Sequence, residues 1–137
     1  MKPKFIKIGL SLIVISAIIL IYFFMMKPTN LITSGVVRII VVNKEGQTII
    51  DDEWSFSSSA NNKVTLRTIL EEHYDIVVEN KMLMGINGLI ADNKTYFWKI
   101  WINCQMATRG IEALYFKDGD VIKLVYTKVG DYLNDAC

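Results

Sequence analysis

Histidine and cysteine are scarce here: the 137 residues contain one histidine, His73, and two cysteines, Cys104 and Cys137. A lone imidazole following Glu71 and Glu72 does not have metal-site spacing, so His73 reads as a helix-surface residue. Two cysteines fix no disulfide framework; two free thiols are expected, and a bridge to Cys137 would serve only to clip down the tail. No serine or cysteine has a credible base, and there is no phosphate-binding glycine loop, so the expectation is a protein without catalytic activity. Cys104 would become reactive only if a positive neighbour lowered its pKa, and Arg109 is the local candidate. Asp118 and Asp120 lack the further oxygen ligands of a calcium loop and read as turn residues. A basic excess is also missing. With four of the 15 basic residues at or before Lys27 and 14 acidic residues in all, residues 31–137 carry a charge near −3. That excludes the basic stripe of a nucleic-acid binder.

What the sequence does have is one long uncharged run. Residues 8–26, IGLSLIVISAIILIYFFMM, contain no charge over 19 positions. As a helix they would cover about 29 Å, close to the hydrocarbon thickness of a bilayer. Lys2, Lys4 and Lys7 precede the run and only Lys27 follows it, which predicts a cytoplasmic amino terminus and an extracytoplasmic remainder. A cleaved signal peptide is the rival reading, but no small-x-small site follows the run, and no Leu-x-x-Cys lipoprotein signal is present. The expected organisation is therefore an anchor over residues 1–30 and one extracytoplasmic domain over residues 31–137. The latter is long enough for a single core.

Within that domain the period of the apolar residues assigns the elements. Val36 to Val42 is β-branched almost throughout and reads as a buried strand. Asn43-Lys44-Glu45-Gly46 supplies a turn, and Gln47 to Ile50 the hairpin partner; Ser57 to Asn62 reads as a polar loop. Thr65 caps a helix whose Leu66, Ile69, Leu70 and Tyr74 share a face, with Arg67, Glu71 and Glu72 opposite. Ile76 to Val78 is a short strand, and Asn87-Gly88 and Asp92 to Lys94 are turns. From Tyr96 to Asn103, Tyr96, Trp98, Ile100 and Ile102 alternate with Phe97, Lys99, Trp101 and Asn103. Cys104 to Gly110 reads as a loop, Lys117 to Asp120 as a tight turn, and Val121 to Lys128 as a last strand with Ile122, Leu124 and Tyr126 on one face. Strand, strand, helix and further strands is the order of an α+β domain, a β-grasp-like mixed sheet with one packed helix.

The second half of the chain resembles a known family. Ile86-Asn87-Gly88-Leu89, Tyr96-Phe97-Trp98, Gly110-Ile111 and Lys117-Asp118-Gly119-Asp120-Val121-Ile122 are similar, in order and spacing, to the transcobalamin C-terminal-like domain. The early strand Val36–Val42 and the helix opening Thr65-Leu66 fit it too. The resemblance implies a β-grasp fold and a part in holding a corrinoid such as cobalamin. It also implies that the segment after the aromatic strand, Asn103 to Gly110, faces the ligand. The sequence departs from related bacterial members at Asn103-Cys104, where asparagine-glycine is more usual, a change expected to alter the turn. The animal carriers close the site with a separate helical barrel, so here a partner would have to complete it.

Trp98 and Trp101 alternate to opposite faces of one strand, so they cannot share a core. Sheet packing accounts for one, and a stacking surface for a planar ligand could account for the other. Trp54 reads as the cover of a sheet edge. Gln105, Met106 and Arg109 are the candidates for the ligand-facing loop, Arg109 because a guanidinium can grip a phosphate or carboxylate. The expected function is a membrane-anchored binding module for a small ligand, accessory to a transporter. The alternative is a protein-interaction or structural module of the cell envelope.

Overall fold

The computed structural model describes residues 15–21 and 33–131. The chain divides into two compact units, Met1–Asn30 and Leu31–Cys137. In the first, residues 15–21 are helical, with Ile15, Ile18, Ile19, Leu20 and Ile21 all more than half exposed. No helix among the described residues is long and apolar enough to cross a membrane. Most of the uncharged run 8–26, and with it the expected span, lies outside the described residues.

The second unit is α+β. Its first strand, β1 (Thr33–Val42), pairs antiparallel with β2 (Thr48–Ser58). The turn between them is closed by the Asn43 side chain, which accepts from the backbone N–H groups of Glu45 and Gln47. Helix α1 (Leu66–His73) follows. After it come β3 (Ile76–Glu79), β4 (Met82–Ile86) and β5 (Leu89–Ile90), and then β6 (Tyr96–Ile102), β7 (Gln105–Met106) and β8 (Val121–Lys128). There are two sheets rather than the one expected: a five-stranded sheet in the order β2-β1-β8-β6-β7, and a three-stranded sheet β3-β4-β5. The large sheet is mixed, because β1 and β8 run parallel with Ile39 opposite Ile122 and Val41 opposite Leu124.

The elements form where side-chain chemistry allows. Thr65 caps α1 by accepting from the Thr68 N–H, while the Thr65 N–H donates back to the Thr68 hydroxyl. Leu66, Ile69 and Leu70 are buried, the i, i+3, i+4 face of the helix, and pack with Val37, Ile39, Val41, Phe56, Trp98, Ile122, Leu124 and Tyr126 of the large sheet. Arg67 pairs on the outer face with Glu71 at 2.6 Å and also with Glu112. β2 runs on to Ser58, through Asp51, Asp52 and Glu53, where the sequence had indicated an end at Ile50 and a loop from Ser57. The acids do not break it because Asp51 and Glu53 point outward, and Asp51 takes a two-pronged ion pair from Arg38. Trp54, on this edge strand, donates its indole N–H to the Tyr74 hydroxyl at 2.7 Å and stacks on His73 at 3.6 Å. Tyr74 in turn donates to Asp52 at 3.1 Å; burial, reinforced by that carboxylate, pushes its phenol up to about 12.

One correction concerns Cys104. It is disulfide-bonded, not a free thiol, and the only other cysteine of the sequence, Cys137, lies outside the described residues. The turn at Asn103-Cys104 forms without a glycine. Asn103 (φ 47°) and Cys104 (φ 67°) both adopt left-handed conformations, closing a two-residue hairpin between Ile102 and Gln105. The same geometry recurs at Asn80-Lys81 and Asn87-Gly88. A non-glycine residue costs about 1 kcal/mol at such a position, so the turn is held by its neighbours. Asn103 donates its side-chain N–H to Asp120 at 2.8 Å and accepts from the Val121 N–H at 2.9 Å.

Gly35 marks a close approach between the start of β1 and the turn before β8. A Cβ there would meet Asp118 Cβ at 2.4 Å and its backbone Cα at 2.7 Å. At this crossing the Val36 N–H donates to Asp118 and the Gly119 N–H donates to the Val36 carbonyl, locking the turn before β8 to the start of β1. Gly35→Ala should therefore lower unfolding stability by about 1–3 kcal/mol in urea titrations of the full chain. A neutral result would mean that the crossing can open without loss.

Candidate functional site

The loop joining β7 to β8 lines a hollow, and it is firmly anchored. Ile111 and Leu114 are buried in the core. The first N–H groups of α1, which have no partner inside the helix, reach across to it: Leu66 N–H donates to the Leu114 carbonyl at 2.9 Å, and Arg67 N–H to the Ile111 carbonyl at 3.1 Å. Arg67 and Glu112 add an ion pair. At the other end, the Ala107 N–H donates to the Ile100 carbonyl at 2.8 Å, so the segment assigned as loop from Cys104 begins as β7, an edge strand on β6. Gln105 and Met106 thus sit on a strand, and Arg109 lies on the pinned loop after it.

Two hollows flank this segment. One, of about 610 Å³, is lined by Ile102, Gln105, Met106, Thr108, Arg109 and Tyr115, among others. The other, of about 450 Å³, is the more apolar and lies between β4 and β6, with Met82, Phe97, Trp98, Met106, Arg109 and Ile111 among its walls. Both volumes fall in the range of small-molecule sites. Met106, Ala107 and Arg109 belong to both. Met82, Met106 and Tyr115 are each at least half exposed, an apolar rim left open to solvent. Arg109 has no hydrogen-bond or ion-pair partner among the described residues.

Four of the five candidates from the sequence, Trp98, Gln105, Met106 and Arg109, therefore meet around these hollows. Trp98 meets them as a wall: its ring is buried, packs on Tyr126, and donates its indole N–H to the Met84 carbonyl at 3.2 Å. Trp101 is not brought there. It points to the opposite face of the sheet and is buried with Val42 and Val125. Met82, Phe97 and Tyr115 were not singled out from the sequence. Tyr115 in a loop carried no periodic signal, and Met82 follows a turn that places it beside β6 only in three dimensions.

Asp92 closes the turn that leads into β6. Its carboxylate accepts three backbone N–H groups, from Thr95 at 2.7 Å and from Lys94 and Tyr96 at 3.0 Å. These bonds, that from Tyr96 first, hold it well below the usual carboxylate range. The turn they close aims Asn93, whose amide donates to Met84 Sδ at 3.0 Å, into the more apolar hollow. Among the described residues, no group of three or more His, Cys, Asp or Glu side chains is placed to hold a metal.

Residues 63–128 match the model of a family described as a domain of unknown function, DUF4430. That stretch runs from the cap of α1 to the end of β8 and includes every wall of both hollows. No curated protein matches the sequence. Among solved structures, the chain is similar to a "putative metal binding protein" from Ruminococcus gnavus ATCC 29149. The TM-score is 0.50 at 17% identity, over 69% of this chain and 97% of that one, a likeness of fold. It is also similar to haptocorrin, solved in complex with Cbi, with a TM-score of 0.48 at 14% identity. That match covers 70% of this chain and only 25% of haptocorrin.

Because the folded-state pKa of Asp92 is depressed, its stabilising contribution is present above the unfolded value of about 3.9 and is lost as pH falls through the folded one. Melting curves of the wild type and Asp92→Ala should therefore differ most at pH 5–7, with the variant less stable, and converge towards pH 2. A gap that stays constant with pH would show that Asp92 acts by packing alone.

Proposed function

We propose that residues 31–137 form a non-catalytic binding module for a small ligand, and that the ligand enters at Met106, Ala107 and Arg109. The observation that carries this reading is a guanidinium without a partner among the described residues, set between two hollows in an apolar rim on a pinned loop. Such a site suits a ligand with a broad apolar or planar body and an anionic group. A corrinoid is the specific candidate, since it has both, and the motifs resemble those of the transcobalamin C-terminal-like domain. The frame suits that family: an opening hairpin, a helix over one face, and a last strand inserted parallel to the first, as in a β-grasp. The hollows are open, so a second protein, such as a transporter, would close over a ligand of that size. We place the module outside the cell on an uncleaved anchor formed by residues 8–26. The uncharged run, the lysine bias and the exposed apolar residues of 15–21 support the anchor. The disulfide at Cys104 supports an oxidising compartment.

A second reading, a protein-interaction module of the envelope, is favoured by one feature: among the described residues β2 pairs only with β1, leaving its other edge unpaired over eleven residues. The two readings separate in a thermal-shift screen of the full chain with cobalamin and other corrinoids. A ligand of the native state should raise Tm by several degrees at saturating concentration. Arg109→Ala should weaken binding about tenfold or more, as loss of a charge-assisted contact. Ser57→Ala, on the far edge, should leave it unchanged. No shift with a folded protein would favour the interaction module, which native-membrane cross-linking would then reveal as a discrete adduct.

A further inference from the structure

The backbone groups of β6 point to its two sides in alternation, as in any antiparallel strand. Just before the strand, the Thr95 carbonyl accepts from the Val129 N–H at 2.8 Å; just after it, the Asn103 N–H donates to the Val121 carbonyl at 2.9 Å. Phe97, Lys99 and Trp101 are in step with these two and turn their backbone groups to β8. Tyr96, Trp98, Ile100 and Ile102 turn theirs to the opposite edge. There Ile102 pairs with Gln105 of β7, and the Ile100 carbonyl accepts from the Ala107 N–H at 2.8 Å. Tyr96 accepts from the Asn93 N–H at 2.9 Å and donates its own N–H to the Asp92 carboxylate at 3.0 Å. Trp98 stands between them. Here β7 has ended, and the backbone N–H and carbonyl of Trp98 have no partner among the described residues.

Trp98 is only 8% exposed, and buried backbone groups are nearly always paired. The edge that carries these two groups is a wall of the more apolar hollow, lined by Phe97, Trp98, Lys99 and Ile100. Met82, Met106 and Ile111 add apolar surface to that hollow, and Arg109 adds a positive charge. A donor and an acceptor on one edge residue are complementary to the acceptor and donor of one further extended residue, as in a hydrogen-bonded antiparallel pair. The gap is one residue long, because Tyr96 and Ile100 on either side of it are engaged. It suits a single residue, not a strand.

We propose that this gap is a subsite for one acylated amino-acid residue, supplied as a free N-acyl amino acid or as the carboxyl end of a peptide. Its N–H donates to the Trp98 carbonyl. Its carboxylate accepts from the Trp98 N–H and from Arg109, and its apolar side chain packs on Met82, Met106 and Ile111. The thioether walls adapt to side chains of different shape, so the subsite selects an apolar acylamino acid as a class. The inference rests on the binding reading above and narrows the chemistry of the ligand.

Amide and methyl NMR titrations of the full chain with N-acetyl-leucine test it. The Trp98 backbone amide should shift downfield and saturate. The ester analogue, with oxygen in place of the N–H, should bind about five- to tenfold more weakly through loss of one hydrogen bond. N-acetyl-leucinamide, which lacks the carboxylate, should also bind more weakly, and in Arg109→Ala the acid and the amide should bind alike. A pentapeptide ending in leucine separates the two sources. Tighter binding than N-acetyl-leucine assigns a peptide end; equal or weaker binding assigns a free acid. Equal affinity for amide and ester, or no shift with N-acetyl-leucine at any residue, overturns the subsite. Shifts at Met106 and Ile111 with Trp98 unmoved overturn it too, while leaving the hollow as a binding site, so the two failures are told apart.

Discussion

The parallel ladder between β1 and β8 is the constraint on which the rest of the domain depends. It joins the first and last strands of the unit, so all the chain from Thr48 to Asp120 must be accommodated between two neighbouring strands. A parallel pair requires a crossover, and here the crossover contains the helix, the small sheet and the aromatic strand. The inward residues of this ladder, Val37, Ile39, Val41, Ile122 and Leu124, have no solvent exposure. Each contributes about 1.5–3 kcal/mol by burial, and together they form the floor on which Leu66, Ile69 and Leu70 pack. The Gly35–Asp118 crossing sets the register of the ladder at one end, and the hydrogen bonds of Asn103 to Asp120 and Val121 fasten β6 beside it.

From this floor the candidate site follows by a short chain of causes. Packing fixes α1, the first turn of α1 captures the carbonyls of Ile111 and Leu114, and the captured loop presents Arg109 and Tyr115 beside β7. The candidate site is a loop held by a helix terminus and by an edge strand, and its exposed Arg109 has no ion-pair partner among the described residues. Rigid support of this kind reduces the ordering cost of binding.

Local signals in the sequence were enough for the elements with strong periodicity. Thr65 and the Leu66, Ile69, Leu70 spacing located α1, and the Tyr96–Ile102 alternation separated Trp98 from Trp101 correctly. What could not be read depends on tertiary context. The Asp51-Asp52-Glu53 run resembles a strand end, and becomes strand interior only because Arg38 lies opposite on β1. Gln105-Met106 has no strand signature, and forms β7 only because the hairpin at Cys104 returns it to β6. Two cysteines in a sequence cannot show whether they pair, and the division into two sheets depends on where β4 is carried by α1. Of the site, Gln105, Met106 and Arg109 were legible because they follow the aromatic strand. Met82 and Tyr115 were not, since no periodic pattern connects them to it.

The proposed entry point for a small ligand is the rim around Met106, Ala107 and Arg109. Methyl and amide NMR spectra of the full chain, recorded during titration with a corrinoid, test it most directly because they report position as well as binding. Saturable shifts are expected, confined to Met82, Met106, Ala107, Arg109, Ile111 and their neighbours, with Val42 and Val125 on the opposite face unmoved. Shifts centred on β2, or no saturable shift at any site, would contradict it.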